Sequence, residues 1–279
     1  MNTMQITNLI LRKAYEKDIT VETHFSVFNN GMDPAQPMIQ LNLKTKYFKD
    51  FAFYYALYDR YFNYSATFIV DDNKDIKAKR LFNLDKGIFN EYSTNDDYSI
   101  IELVNEIDVE SINEEDIDNI FEYITSEHEL INHLNDINNG KEFVLEGDET
   151  TDLLLKKLYK SGLDIELDLD IDDSADDAVQ VQINVKPKYF RDFAIFYGTK
   201  DNKLNFSSIF EVDNKNDFKA KELFDKDNGI FKSFIVDEDD EKIHLYTEIS
   251  FKDLNDKFID EIIKYLSEEH ELINYLNRM

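Results

Sequence analysis

The stretch KYFKDFAFYYALYDRYFNYSATFIVDDNKDIKAKRLFNLDKGIF, Lys46 to Phe89, decides how this chain is read, because it returns as KYFRDFAIFYGTKDNKLNFSSIFEVDNKNDFKAKELFDKDNGIF, Lys188 to Phe231. Setting Tyr47 on Tyr189 gives an offset of 142 that carries Ala78 to Ala220, Gly87 to Gly229 and Glu127-His128 to Glu269-His270 without a gap. The chain is a tandem duplication, and self-similarity of this length governs every local reading.

Composition sets the outer bounds. In 279 residues, 42% are hydrophobic, and 22 Phe and 16 Tyr supply enough apolar volume for two cores. The formal net charge of -28, from 59 Asp and Glu against 31 Lys and Arg, argues against a phosphate-binding surface. It leaves room for a surface that imitates nucleic acid. Without cysteine there is neither a disulfide framework nor a thiolate metal site. Met1 to Thr20 carries Arg12, Lys13, Glu16 and Lys17 among its apolar positions and does not read as a signal peptide. No apolar run reaches the roughly 18 residues of a membrane helix. The expectation is a soluble cytoplasmic protein.

The repeat divides the chain into a first copy over 1–138, a linker over 139–147 and a second copy over 148–279. Thr7 to Asp18 has apolar residues at helical spacing, and TDLLLKKLYK (151–160) repeats it at an offset of 144. Strands follow at Val21 to Phe28 and Leu163 to Ile171. In the second of these Leu163, Ile165, Leu167, Leu169 and Ile171 alternate with Asp164, Glu166, Asp168 and Asp170, which predicts a half-buried strand with an acidic outer face. Asn29 to Pro37 and Asp172 to Asp177 are loops. Met38 to Thr45, Phe51 to Tyr58 and Tyr64 to Val70 are further strands. Phe51 to Tyr58 is bulky at odd and even positions, which predicts a strand near the middle of its sheet and covered on both faces. Asp75 to Phe82 is a short helix with Ile76, Leu81 and Phe82 inward. Ile88 to Thr94 and Tyr98 to Val109 form a hairpin. A capping box at Asn113 to Asp116 opens one long terminal helix through Leu134, whose twin runs from about Leu254 to Leu276.

The fold class is therefore α+β: two tandem copies of a helix, antiparallel sheet, short helix, hairpin and long helix unit, in a pseudo-twofold arrangement. The opening helix, the short helix at KAKRLFN and KAKELFD running into GIF, and the terminal helices SINEEDIDNIFEYI and KDLNDKFIDEIIKYL resemble the type III secretion chaperone-like fold, including the YbjN family. Each copy departs from that pattern by one additional strand before the middle helix. The resemblance implies a small acidic protein-binding module that works as a dimer, here fused into one chain, with no catalytic residues to carry over.

Chemistry-bearing motifs are sparse. His128-Glu129-Leu130-Ile131-Asn132-His133 misses the HExxH spacing by one residue, and on one continuous helix its histidines would point about 140° apart. His128 and His270 read instead as interfacial or helix-end residues. Asp168 to Asp173 lacks the Gly and Glu of a calcium loop, and the strand alternation explains its spacing. No glycine-rich phosphate cradle or nucleophile elbow occurs. The chain thus reads as non-enzymatic, with no metal or cofactor.

Tyr47-Phe48-Lys49-Asp50 and Tyr189-Phe190-Arg191-Asp192 read as an aromatic corner between strands, with recognition as the sharper alternative. Tyr58, Tyr61, Phe62 and Tyr64, whose counterparts are Lys200, Lys203, Leu204 and Phe206, mark the first copy's hairpin as the expected partner surface. The row Asp164, Glu166, Asp168 and Asp170 is the second candidate. The leading expectation is an acidic protein-binding module, chaperone-like or an adaptor or inhibitor, acting as a monomer with an internal pseudo-dimer. It binds a protein, with no direct nucleic acid and no membrane contact. The alternative is an acidic DNA mimic that inhibits a nucleic-acid-handling enzyme, for example an anti-defence protein.

Overall fold

The computed structural model describes residues 1–28, 35–71, 74–95, 99–138, 149–171, 178–212, 218–227, 229–237 and 241–279. The expected linker over 139–147 and the acidic loop Asp172 to Asp177 lie outside them. The chain forms two compact units, Met1–Asp152 and Leu153–Met279.

Unit 1 runs α1 (Thr3–Glu16), β1 (Thr20–Phe28), β2 (Gln36–Lys44), β3 (Phe51–Ala56), β4 (Tyr61–Ile69), α2 (Ile76–Leu84), β5 (Glu91–Asn95), β6 (Ile100–Asp108), α3 (Glu114–Ile124) and α4 (Glu129–Ile137). Then come α5 (Glu149–Lys160), β7 (Asp164–Ile171), β8 (Val179–Lys186), β9 (Phe193–Gly198), β10 (Lys203–Glu211), α6 (Phe218–Lys226), β11 (Ser233–Asp237), β12 (Lys242–Ser250), α7 (Asp256–Ser267) and α8 (Glu271–Leu276). Each unit holds a six-stranded, wholly antiparallel sheet with one order, β1-β2-β3-β4-β6-β5 and β7-β8-β9-β10-β12-β11. The α+β class and the duplicated topology are as the repeat predicts.

Alternation explains the layers. In unit 1 the register sets Thr23 beside Leu41, Leu41 beside Phe53, and Phe53 beside Tyr64. Together with Val21, Ile39, Leu43, Phe51, Tyr55, Phe62, Ile101 and Leu103 these form a buried face. The helices pack on that face. The hydroxyl of Thr7 on α1 lies 2.8 Å from that of Tyr55, Phe89 meets Phe51 edge-on, and Tyr123 of α3 lies tilted against Phe48. Lys13 ties α1 to α3 through Asp118 at 2.6 Å. Lys157 and Asp260 repeat that bond at 2.8 Å in unit 2.

Three details correct the sequence expectations. β3 is central, third of six, but among the described residues only one of its faces is covered: Phe51, Phe53 and Tyr55 are buried, while Ala52 and Tyr54 remain half-buried and line an open depression. Ile76 does not point inward but is 84% exposed. Asp75 is the N-cap, so the inward stripe of α2 is Ala78, Leu81 and Phe82, and Ile76 lies about 200° from Ala78.

The long terminal helix is broken in both copies. His128 leaves helical geometry, with φ -133° and ψ 138°, and caps α4; His270 does the same before α8. Each ring stacks at 3.7 Å on the tyrosine five residues before it, Tyr123 or Tyr265. Each Nε2 donates to that tyrosine's carbonyl oxygen, at 3.0 and 2.8 Å, a second hydrogen bond to a carbonyl that also accepts from the Ser126 or Glu268 N–H. His128 and His270 are helix-end residues, as one of the two sequence readings had it.

Candidate functional site

The hairpin joining β3 to β4 exposes fewer aromatics than the sequence suggests. Tyr58 is 73% exposed and Tyr61 44%, but Phe62 and Tyr64 are buried. The strand begins at Tyr61, three residues earlier than expected, and this places even-numbered β4 residues on the core face. Phe62 packs at 4.8 Å from Tyr55, and the Tyr64 hydroxyl donates to the Ile88 carbonyl at 2.7 Å. At the turn, Arg60 pairs with Asp108 at 2.6 Å and lies 5.6 Å from the Tyr61 ring.

Tyr61, by the alternation of β4, stands at one end of the uncovered sheet face, and Tyr58 is exposed in the turn before it. That face continues through Tyr54, Asn42, Gln40, Glu22, Thr67 and Glu102, which line a shallow depression of ≈ 350 Å³. Glu22 is matched by Lys44 at 2.8 Å. Burial and then the nearby Glu102 carboxylate push the Tyr54 hydroxyl above its ordinary range. The equivalent face of unit 2 carries Phe196 for Tyr54, His244 for Glu102 and Ile209 for Thr67, at the same offset. His244 lies across from Ile209 and Ile235, both exposed, and its Nε2 is buried with no hydrogen-bond partner among the described residues.

Asp164, Glu166, Asp168 and Asp170 are all exposed, on the edge strand β7 and on the uncovered face, as the alternation predicts. Successive members are about 6.6–6.8 Å apart along an extended strand. Lys186 of β8 reaches Glu166 at 3.1 Å, so the row is partly neutralised at one position. The same places on β1 hold Thr20, Glu22, His24 and Ser26, so the row belongs to unit 2 alone.

The Tyr47 and Tyr189 corners are scaffold in both units. Phe48 and Phe190 are buried, and the side-chain amides of Asn135 and Asn277 donate to the Tyr47 and Tyr189 carbonyls at 2.7 Å each. His133 sits away from His128, on α4, with Nε2 at 3.0 Å from Asp75 Oδ1. Among the described residues no group of three His, Asp or Glu side chains is arranged to hold a metal, and no helix is long and apolar enough to cross a membrane.

The His133–Asp75 pair borders a cleft that sequence reading missed. It has a volume of ≈ 470 Å³ and is lined by Lys74, Asp75, Ile76, Lys79, Arg80, Asn83, Tyr92 and Thr94. Asp75 accepts from the Ala78 N–H at 2.7 Å as well as from His133, and these two bonds hold its carboxyl below the usual range. Burial and then Asp75 push the Tyr92 hydroxyl up to about 12. The signal that would have found this cleft is the mismatch between copies, since Arg80, Tyr92 and His133 become Glu222, Phe234 and Tyr275.

No protein-family model matches the chain, and no curated protein does. Among solved structures it is similar to the I-LtrWI LAGLIDADG homing endonuclease bound to target DNA, at 12% identity over 97% of this chain and 88% of that one, with a TM-score of 0.19. A likeness that weak carries no argument.

Proposed function

We propose that this chain is a non-enzymatic protein-binding module whose working surface is the uncovered face of its sheets. The observation that carries the reading is the grouping of aromatic side chains with carboxylates on a sheet face that, among the described residues, no helix of the same unit covers. In unit 1 these are Tyr54, Tyr58 and Tyr61 with Glu22 and Glu102; in unit 2 they are Phe196 and Tyr246 with Asp164, Glu166, Asp168, Asp170 and Glu248. Aromatic anchors beside charge are what protein interfaces use to combine buried area with orientation. A net charge of -28 selects a basic partner segment by complementarity. The resemblance of the element order to the type III secretion chaperone-like fold supports the same role, as chaperone or adaptor.

The second reading, a DNA mimic that occupies the basic groove of a nucleic-acid-handling enzyme, is favoured by one feature, the row of four exposed carboxylates on β7. Ionic strength separates the two. The chain, immobilised and used to capture partners at low and high salt, retains an anchored segment with modest loss under the leading reading. Under the mimic reading capture collapses with salt, and D164N/E166Q/D168N/D170N abolishes it. Replacing Tyr54, Tyr58 and Tyr61 with Ser removes capture only if the aromatic face is the docking surface. A partner held equally well by that triple variant sinks the leading reading.

A further inference from the structure

We propose that β11, the outer strand of the unit 2 sheet, pairs edge to edge with β11 of a second copy of this chain, joining two six-stranded sheets across a twofold axis at Ile235. The four sheet edges are not alike, and their differences point to β11. At β1 the Thr23 N–H is taken by the Asp152 carboxylate at 2.8 Å. At β7 the N–H groups of Leu169 and Ile171 are taken by the Asp168 and Asp170 side chains at 3.0 and 2.8 Å. At β5 the strand is polar, Glu91-Tyr92-Ser93-Thr94-Asn95. β11 has none of these devices. It reads Ser233-Phe234-Ile235-Val236-Asp237, and among the described residues Ser233 to Val236 make no hydrogen bond outside the β12 ladder. An apolar edge left bare is a template for another strand, which is why sheets ordinarily blunt their edges.

The order of residues in β11 makes the edge complementary to itself. Antiparallel pairing about Ile235 sets Ile235 against Ile235, Phe234 against Val236 and Ser233 against Asp237, so no like charges meet and each end places a hydroxyl against a carboxylate. Ile235 is 49% exposed and lies in one cross-strand row with His244 and Ile209, itself exposed. The pairing extends that row across the axis and covers Ile235 with its own counterpart. Phe234, on the opposite face, is held by Phe224 of α6 with ring centroids 5.5 Å apart, so the strand is presented on a packed backing. The same operation about Leu167 of β7 would oppose Glu166 to Asp168 and Asp164 to Asp170, and about Ser93 of β5 it would set serine against serine.

A five-residue ladder is a small interface, and each chain carries a net charge of -28, so the dimer is weak. Salt should strengthen it, because the reach of the repulsion falls from about 10 Å at 0.1 M to about 3 Å at 1 M. A basic foreign strand would show the opposite dependence.

Sedimentation equilibrium of the full chain from about 10 µM to 1 mM, in 0.1 and 1 M NaCl, tests the pairing. The average mass is expected to rise from one chain towards two, at least about threefold more tightly in the higher salt. I235K, which opposes two lysines at the axis, should abolish the rise with unchanged Tm, while S93K, the matching change on β5, leaves it intact. Hydrogen exchange at the β11 amides should slow as the dimer forms. A chain that stays monomeric at the highest concentration and salt, a dimer that persists in I235K or vanishes equally in S93K, or protection that appears elsewhere and not at β11 would each overturn the proposal. If I235K instead removes capture of another protein by a monomeric chain, the edge receives a foreign strand and the second-copy assignment falls.

Discussion

The two units of this chain share the contacts that pack their helices and corners and differ over parts of their surfaces, and the division separates packing positions from candidates for a role outside the fold. Tyr123 on His128, Asn135 to the Tyr47 carbonyl and Lys13 to Asp118 all recur, as Tyr265 on His270, Asn277 to the Tyr189 carbonyl and Lys157 to Asp260. The hairpin tyrosines Tyr58 and Tyr61, the cleft set Arg80, Tyr92 and His133, and the β7 carboxylate row each occur in one copy only. A duplication thus holds its own reference: a residue kept in both copies answers to packing, and one kept in a single copy is a candidate for a role outside the fold.

The comparison breaks most visibly in the cores. Phe48→Ala and Phe190→Ala should each cost about 3–5 kcal/mol, read from urea unfolding, because both rings are buried in matching aromatic clusters. A silent substitution in one unit would show that its cluster only looks equivalent. Next come the glycines. A Cβ at Gly87 or Gly229 would lie 2.3 Å from the ring of Tyr123 or Tyr265, and that ring is pinned from elsewhere by the stacked histidine. Gly87 also sits at φ 57°, in the left-handed region. Gly87→Ala should therefore cost about 2–4 kcal/mol and Gly229→Ala about 1 kcal/mol less. The reverse order would show that ring displacement, not backbone strain, sets the difference.

Smaller effects sharpen the contrast at the cleft. Asp75→Ala should cost about 1–2 kcal/mol through loss of the N-cap bond to Ala78. The Asp75 carboxyl is held below its ordinary 3.8, first by that bond and then by His133, so its contribution is complete above that value. It is lost as pH falls through the lower, folded-state pKa. Thermal melts of the wild type and Asp75→Ala should accordingly converge at strongly acid pH; a gap that stays constant there would discount the carboxylate. Smallest of all, D164N/E166Q/D168N/D170N should change stability by no more than about 0.5 kcal/mol, since the row is solvated, while changing salt-dependent binding if the row meets a partner.

Most of the scaffold was legible because the repeat does half the work and alternation does the rest. Ile165, Leu167 and Leu169 point inward as their period requires. What escaped was local. Nothing between Asn113 and Leu134 is Gly or Pro, and the apolar period runs straight through the break at His128, so the helix reads as continuous. Tyr123 and His128 break it by stacking five residues apart, a contact that periodicity does not encode. Phe62 and Tyr64 were misassigned because the turn before β4 is shorter than its polar residues suggest, so Phe62 falls inside the strand and shares the core face with Tyr64. The cleft escaped because Lys, Arg and Tyr are unremarkable singly and gain meaning only by convergence in space.

The carboxylates along β7 have one more consequence. Strand edges with bare amides invite neighbouring chains to add on, and a fence of like charges along such a rim repels an identical rim from another molecule. In crowded solution that border should therefore resist growing into fibrils, and D164N/E166Q/D168N/D170N should lower the concentration at which it does.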